Sequence, residues 1–258
     1  MITDALGRSF DTDTLRRRVI SLVPSLTETL FDLGVGETVV GITDFCLFPP
    51  DLKLPLVGGT KNPSIDAIRK LKPDLVHMNL EENLERHARE IEQFAPVFVS
   101  EPKTVSDVAA LIATLGALHG TPQAAARLVR ELEETRSDKA PGFSFACAIW
   151  KQPWMWAGGD TYVSGLIEDS GGRNVFASDR RYPTLDLAQA LARKPDIVFL
   201  PDEPYVFTVE EAKEVSSAGA RRVVGPFPGH LVTWHGSRTI QGLRFVHEAV
   251  RIAFEERE

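Results

Sequence analysis

"RVISLVPSLTETLFDLGVGETVVGITD", residues 18–44, decides the fold. Its first seven residues read as an apolar strand that stops at Pro24. Ser25 stands three residues ahead of Glu28, the spacing of a capping box, and a helix is expected over "LTETLFDLG". Gly34 closes that helix as a C-terminal glycine. "TVVGITD", residues 38–44, is a second strand. Strand, helix and strand with short connections make a βαβ unit, which implies a parallel sheet.

The alternation continues outward. "NPSIDAIRKLKPDLVHMN" is a helix stopped before Pro73 and then a strand, because the residue before a proline is pushed out of the helical region. "LERHAREIEQFA" and "PVFVS" add another helix and strand, so residues 18–100 describe one α/β lobe. Residues 104–139 break the rhythm with two helical segments. The second has Thr121 as N-cap, Pro122 as its first helical residue and a body rich in Ala, Leu, Glu and Arg. From "FSFACAIW" onward strands and helices alternate again, ending in "SRTIQGLRFVHEAVRIAFEE". "IDAIRKLKPDLVHM" in the first half is echoed by "LAQALARKPDIVFL" in the second. The expected organisation is an N-terminal α/β lobe over 1–118, a connecting helix over 119–140 and a C-terminal α/β lobe over 141–258, with a ligand cleft between lobes.

Composition bounds the function. The 258 residues are 43% hydrophobic and 25% charged, as in an ordinary globular protein. A formal charge of −7 argues against nucleic acid and against an anionic membrane surface as partner. No apolar run approaches the ~20 residues of a membrane span. The first residues lack the pattern of a secretory leader, which leaves a cytoplasmic location open. Cys46 and Cys147 are read as separate thiols, and no Cys/His spacing suggests zinc. Nucleophile elbow, phosphate loop, metalloprotease and dinucleotide motifs are absent, and no titratable pair stands out, so no enzyme is expected. "GGDTYVSG" offers a glycine pair at a helix start, either a tight turn or an anion cradle.

Ligands of open α/β sheets sit beyond the carboxyl ends of the strands. The loops there carry aromatics: Phe45 after the second strand, Trp150, Trp154, Met155 and Trp156 in "WKQPWMW", Tyr182 in "DRRYPTL", and His230, Trp234, His235 and Arg238 in "PFPGHLVTWHGSR". Singly, each is as easily a loop anchor. Together they suit a large flat ligand, because aromatic rings bury area at small entropic cost. Trp150 is expected to pack, with Trp154, Met155 and Trp156 forming the pocket loop.

"RVISLVPSLTETLFDLGVGETVVGITDFCLFP", "SIDAIRKLKPDLV", "SGLIEDSGGRNVF" and "YPTLDLAQALARKPDIV" together resemble the class III periplasmic substrate-binding proteins. They look most like the vitamin B12-binding members, close to the iron-siderophore binders. The resemblance implies two Rossmann-like lobes bridged by a rigid backbone helix at 122–138. It also implies a corrinoid or chelate as ligand, no further cofactor, a monomer, and an ABC permease dimer as partner. Localisation would be periplasmic or at the cell surface if a leader was removed. By position, the B12-type pocket falls on Phe45, Thr60, Met155, Tyr182 and His230. Thr60 stands where those proteins place a tryptophan and Met155 where phenylalanine is common, and Trp154 and Trp156 would restore that surface. Trp234 and Arg238 join the set. His230 or His235 would approach the metal of the chelate, with no metal held by side chains alone. Docking on the permease would use Asp66 and Asp186, since the second family position aligns with Ala188. Ferric siderophores or haem remain alternative ligands, with Arg180, Arg181 and Arg238 as anion clamps and Tyr162, Tyr182 or a histidine as haem ligand. A leaderless cytosolic chelate carrier or enzyme is the remaining reading.

Overall fold

The computed structural model describes residues 1–140 and 142–255. A short antiparallel hairpin, β1 (Ile2–Thr3) and β2 (Ser9–Phe10), opens the chain. Then follow β3 (Val19–Ser21), α1 (Pro24–Asp32), a 3-10 turn at Gly36–Thr38, β4 (Val39–Ile42), α2 (Ile65–Lys70), β5 (Leu75–Asn79), α3 (Glu85–Ile91) and β6 (Val97–Ser100). The strands form a parallel sheet in the order β4-β3-β5-β6. Each of β3, β5 and β6 is buried along its length, as expected of a sheet covered on both faces. Ile20, Leu22, Val76, Val97 and Val99 pack there with Val57, Ile68 and Ile91. Helix α1 starts two residues earlier than expected, with Val23 as N-cap and no side-chain cap, so Ser25 lies inside it and forms no capping box. Pro24 explains this, since its fixed φ and missing N–H suit the first helical position. Gly34 takes φ +79° and ends the helix as expected.

Two helices come next, α4 (Val105–Leu118) and α5 (Pro122–Ser137). The rest of the chain is β7 (Phe143–Trp150), β8 (Met155–Trp156), α6 (Tyr162–Asp169), β9 (Gly172–Asn174), α7 (Leu187–Ala192), β10 (Ile197–Pro201), α8 (Val209–Ser217), β11 (Val223–Phe227), α9 (His230–Thr233) and α10 (Arg238–Glu255). Here the parallel order is β11-β10-β7-β9, and β8 folds back antiparallel on the end of β7. Ala146, Ala148, Val198 and Leu200 of the sheet pack with Trp156, Phe176, Phe207 and Val215. Among the described residues no helix is long and apolar enough to cross a membrane.

The compact units are Met1–Pro102 with Val108–Arg130, and Lys103–Asp107 with Glu131–Glu258. They part otherwise than the expected 1–118, 119–140 and 141–258, and residue 141 itself lies outside the described residues. Local packing gives the reason. A Cβ on Gly116 of α4 would meet Ala125 Cβ of α5 at 2.3 Å, which ties those turns together in the first unit. A Cβ on Gly165 of α6 would meet the Lys103 carbonyl oxygen at 2.2 Å, and Arg136 pairs with Asp169 at 2.8 Å. Those contacts bind 103–107 and the end of α5 to the second unit.

The echoed segments are structural equivalents. Asp74, ahead of β5, accepts the backbone N–H of Arg17 at 2.8 Å and that of Arg18, just before β3, shared between its two oxygens at 3.1 Å. Asp196, ahead of β10, accepts the N–H of Ser144 at the start of β7 at 2.9 Å. Lys72 and Lys194, two residues upstream of each aspartate, both adopt positive φ, +50° and +58°.

Candidate functional site

In the first unit, β4 and β5 feed two loops that are stitched together. Asn83 is the fastener: its side-chain nitrogen donates to the carbonyls of Leu22 (3.1 Å) and Thr60 (2.9 Å), and its oxygen accepts the Asn79 N–H at 2.8 Å. Asn79 in turn accepts the Glu81 N–H at 2.8 Å, and Lys61 donates to the Glu81 carbonyl. Thr60 is thereby held nearly enclosed, at 9% exposure. Phe45 is the opposite, 57% exposed, with Leu47, Leu56 and Leu80 as further exposed apolar side chains of this unit. Its ring lies close over Gly59, where a Cβ would come within 3.2 Å of Phe45 Cε2. Phe45 and Thr60 are therefore neighbours through Gly59. The asparagines of "MNLEEN" were missed in the sequence, although two Asn at a strand end are the residues that fix such turns by side-chain bonds to backbone.

In the second unit the tryptophans of "WKQPWMW" exchange their expected roles. Trp150 ends β7 at 41% exposure, its ring edge-on to Tyr205 at 5.5 Å. Trp156 has 0% exposure: it stacks between Trp154 and Phe176 at 5.6 and 5.5 Å, and its indole N–H donates to Leu185. It belongs to the core and presents no ligand wall. Trp154 is half-buried, stacked on Phe207 as well. The cause is a register shift in the β7–β8 pairing, which sets Ala148 against Trp156 but Trp150 against Met155. Met155, half-buried, also bridges Thr184, so the hairpin and the Tyr182 loop lie side by side. Tyr182 is half-buried with the Arg181 guanidinium 5.5 Å from its ring centre. Gly158 and Gly159 donate their N–H groups to the carbonyls of Arg181 and Asp179, so they make a turn and no anion cradle.

His230 opens α9 with its ring 5.7 Å from that of Trp234. Burial pushes its imidazole below the ordinary range, Arg238 adds to this and Asp202 opposes it, so the ring is neutral at neutral pH. A neutral imidazole is the form that ligates metals. Arg238, 5% exposed, donates to Gln241 at 2.6 Å. His235 is enclosed beside Tyr162, burial lowering it to about 4. Tyr162 is itself enclosed, its hydroxyl paired with Thr239 at 2.7 Å, which removes it as a haem ligand. Cys46 and Cys147 are both free thiols, the latter fully buried. Among the described residues no three His, Cys, Asp or Glu side chains converge as a metal site.

Asp66 is exposed in the first turn of α2, whose N-cap is Ser64. Asp186 is the N-cap of α7, accepting the Gln189 N–H at 2.8 Å while Gln189 returns a bond to its backbone. One carboxylate oxygen thus caps the helix, and the side chain stays exposed. A cavity of 440 Å³ in the second unit, walled by Glu131, Asp138, Arg244 and Glu248, contains none of the expected ligand residues. Its charged walls already pair with one another, Arg244 with Glu131 at 3.0 Å, and do not suit an apolar macrocycle.

Relatives agree with this architecture. A vitamin B12-binding protein of Pectobacterium carotovorum subsp. carotovorum (strain PC1) is 25% identical over 201 residues, covering 74% of this chain and 73% of that protein. A protein of Bacillus subtilis (strain 168) named as an uncharacterized ABC transporter substrate-binding lipoprotein is 24% identical over 267 residues, covering 96% and 84%. The fold is similar to that of a periplasmic heme-binding protein of Roseiflexus sp. RS-1 in apo form, with a TM-score of 0.79, 23% identity and coverage of 92% and 98%. The family model described as periplasmic binding protein matches residues 19–223, and the chain belongs to that family.

Proposed function

We propose that this chain is the substrate-binding protein of an ABC-type importer, working in the periplasm or at the cell surface, and that its ligand is a corrinoid held without chemical conversion. The observation that carries this reading is Phe45, a ring 57% exposed at the carboxyl end of β4 and backed by Gly59. An exposed aromatic ring offers a flat macrocycle apolar area at small side-chain entropy cost. Within the second unit, Met155, Tyr182, Trp234 and the neutral His230 are the candidate contact residues, and Thr60 and Arg238 are largely enclosed. The names of the B12-binding relatives and of the B. subtilis lipoprotein support ligand class and importer respectively. Asp66 would meet the permease, with Asp186 as the nearest carboxylate to the second position at Ala188.

Haem or a ferric chelate is the second reading, favoured by exposed Arg180 and Arg181 beside Tyr182, which suit anionic groups. Titration with cyanocobalamin, cobinamide, haem and a ferric siderophore, followed by tryptophan fluorescence, tests both. Quenching by the two corrinoids alone is expected. Quenching by haem or the siderophore alone transfers the assignment, and silence toward all four overturns it.

A further inference from the structure

In the first unit two histidines meet where no site has been assigned. His77 lies in the middle of β5 and His119 follows the end of α4, and their Nε2 atoms are 2.9 Å apart. Both side chains are buried, and neither Nδ1 has a hydrogen-bond partner among the described residues. The ring of Phe98 covers His77 edge-on at 5.5 Å. The charged groups that act on the pair are Arg16, from the segment before β3, and Asp74, from the turn before β5. Arg16 disfavours a proton there, and its own Nε is enclosed without a partner among the described residues.

At neutral pH one Nε2–H donates to the other Nε2, and the pair closes the gap between strand and helix. A first proton keeps that bond but places a charge where neither Nδ1 is solvated. A second sets two N–H groups against each other. Either way the charged pair is better accommodated in water than in this core.

The pair is joined by hydrogen bonds to the loop carrying Thr60 and Phe45. The His77 carbonyl accepts the Leu22 N–H at 3.0 Å, and the Leu22 carbonyl accepts Asn83, which also holds the Thr60 carbonyl. We propose that His77 and His119 form an acid latch, which fixes the end of β5 and the Thr60 loop at neutral pH and releases them in acid. The statement that release lowers ligand affinity rests on the functional reading above. The latch itself does not.

The test is amide hydrogen exchange, corrected for intrinsic rates, between about pH 7 and about pH 4.5, the range over which a histidine released to water takes its proton while the buried pair resists it. In the wild type, exchange in 57–62 and 75–84 should rise at least ~10-fold on acidification, and in His119→Gln by less than ~2-fold. His87→Gln, another histidine of the same unit, should respond like the wild type. An unchanged acid response in His119→Gln, or none in the wild type, overturns the latch. Should His119→Gln fail to fold, ring NMR of the wild type decides. The His77 and His119 signals should titrate together with loop opening, and opening without their titration overturns the proposal. Cyanocobalamin affinity measured over the same range separates the two claims: loss of protection without any corrinoid binding leaves the latch and removes the ligand reading.

Discussion

Trp156 donates its indole N–H to the carbonyl of Leu185 at 2.9 Å while lying nearly parallel to Phe176, ring centres 5.5 Å apart. A ring so bound is structural. Trp156→Ala should cost about 3–5 kcal/mol of unfolding free energy. Trp156→Phe keeps a stack but leaves the carbonyl without its donor, and should cost about 1–3 kcal/mol. Trp150→Ala removes a partly exposed ring with its edge contact to Tyr205 and should cost about 0.5–1.5 kcal/mol. Urea unfolding of the three variants checks the order, and a larger loss at Trp150 than at Trp156 would contradict the assignment of core and surface.

Gly165→Ala sets two effects against each other. Helix propensity favours alanine by about 1 kcal/mol in α6. The added Cβ would sit 2.2 Å from the Lys103 carbonyl oxygen, a backbone atom that cannot rotate away. Overpacking of that kind costs about 1–3 kcal/mol or more, so the variant should be destabilised on balance. Thermal unfolding reads the sign.

Burial pushes the Asp196 carboxyl up, but hydrogen bonds from Ser144 and Arg221 outweigh it and hold the group below the usual carboxylate range. A carboxylate lowered in the folded state contributes stability above its unfolded pKa, near 3.9, and loses it as pH falls through the folded value. Asp196→Asn should therefore be less stable than wild type by about 1–3 kcal/mol at neutral pH, the gap closing below about pH 3. Denaturation at a series of pH values measures it.

His235 works in the other pH window. Burial lowers it to about 4, so on acidification the unfolded chain takes its proton first, near pH 6.5. Its contribution is whole above about pH 6.5 and is lost progressively down to about pH 4. His235→Phe should flatten the stability curve there by up to ~1.4 kcal/mol per pH unit, one proton's worth. A slope equal to that of wild type would show that His235 is charged or solvated in the fold.

The alternation of strands and helices was legible because each buried parallel strand is an apolar run bounded by Pro, Gly or Asp. Pro73-Asp74 and Pro195-Asp196 even announced the equivalent turns of the two units. The division of the tryptophans was not legible. It depends on a register shift within β7–β8, and one residue of slip exchanges core for surface. The helix start at Pro24 was misread for a related reason, since Ser25 and Glu28 have capping-box spacing wherever the helix begins. His77 looked like one more residue of an apolar strand. Its partner lies 42 residues away, a distance local patterns do not span.

Calorimetric titration of cyanocobalamin into the wild type and Phe45→Ala tests the central claim most directly. The account predicts saturable one-to-one binding by the wild type, weakened at least ~10-fold in Phe45→Ala, since an anchoring ring contributes about 1.4 kcal/mol or more. Unfolding curves of the two proteins should coincide, because Phe45 is largely exposed. Absence of heat with the wild type, or identical binding by the variant, would contradict it.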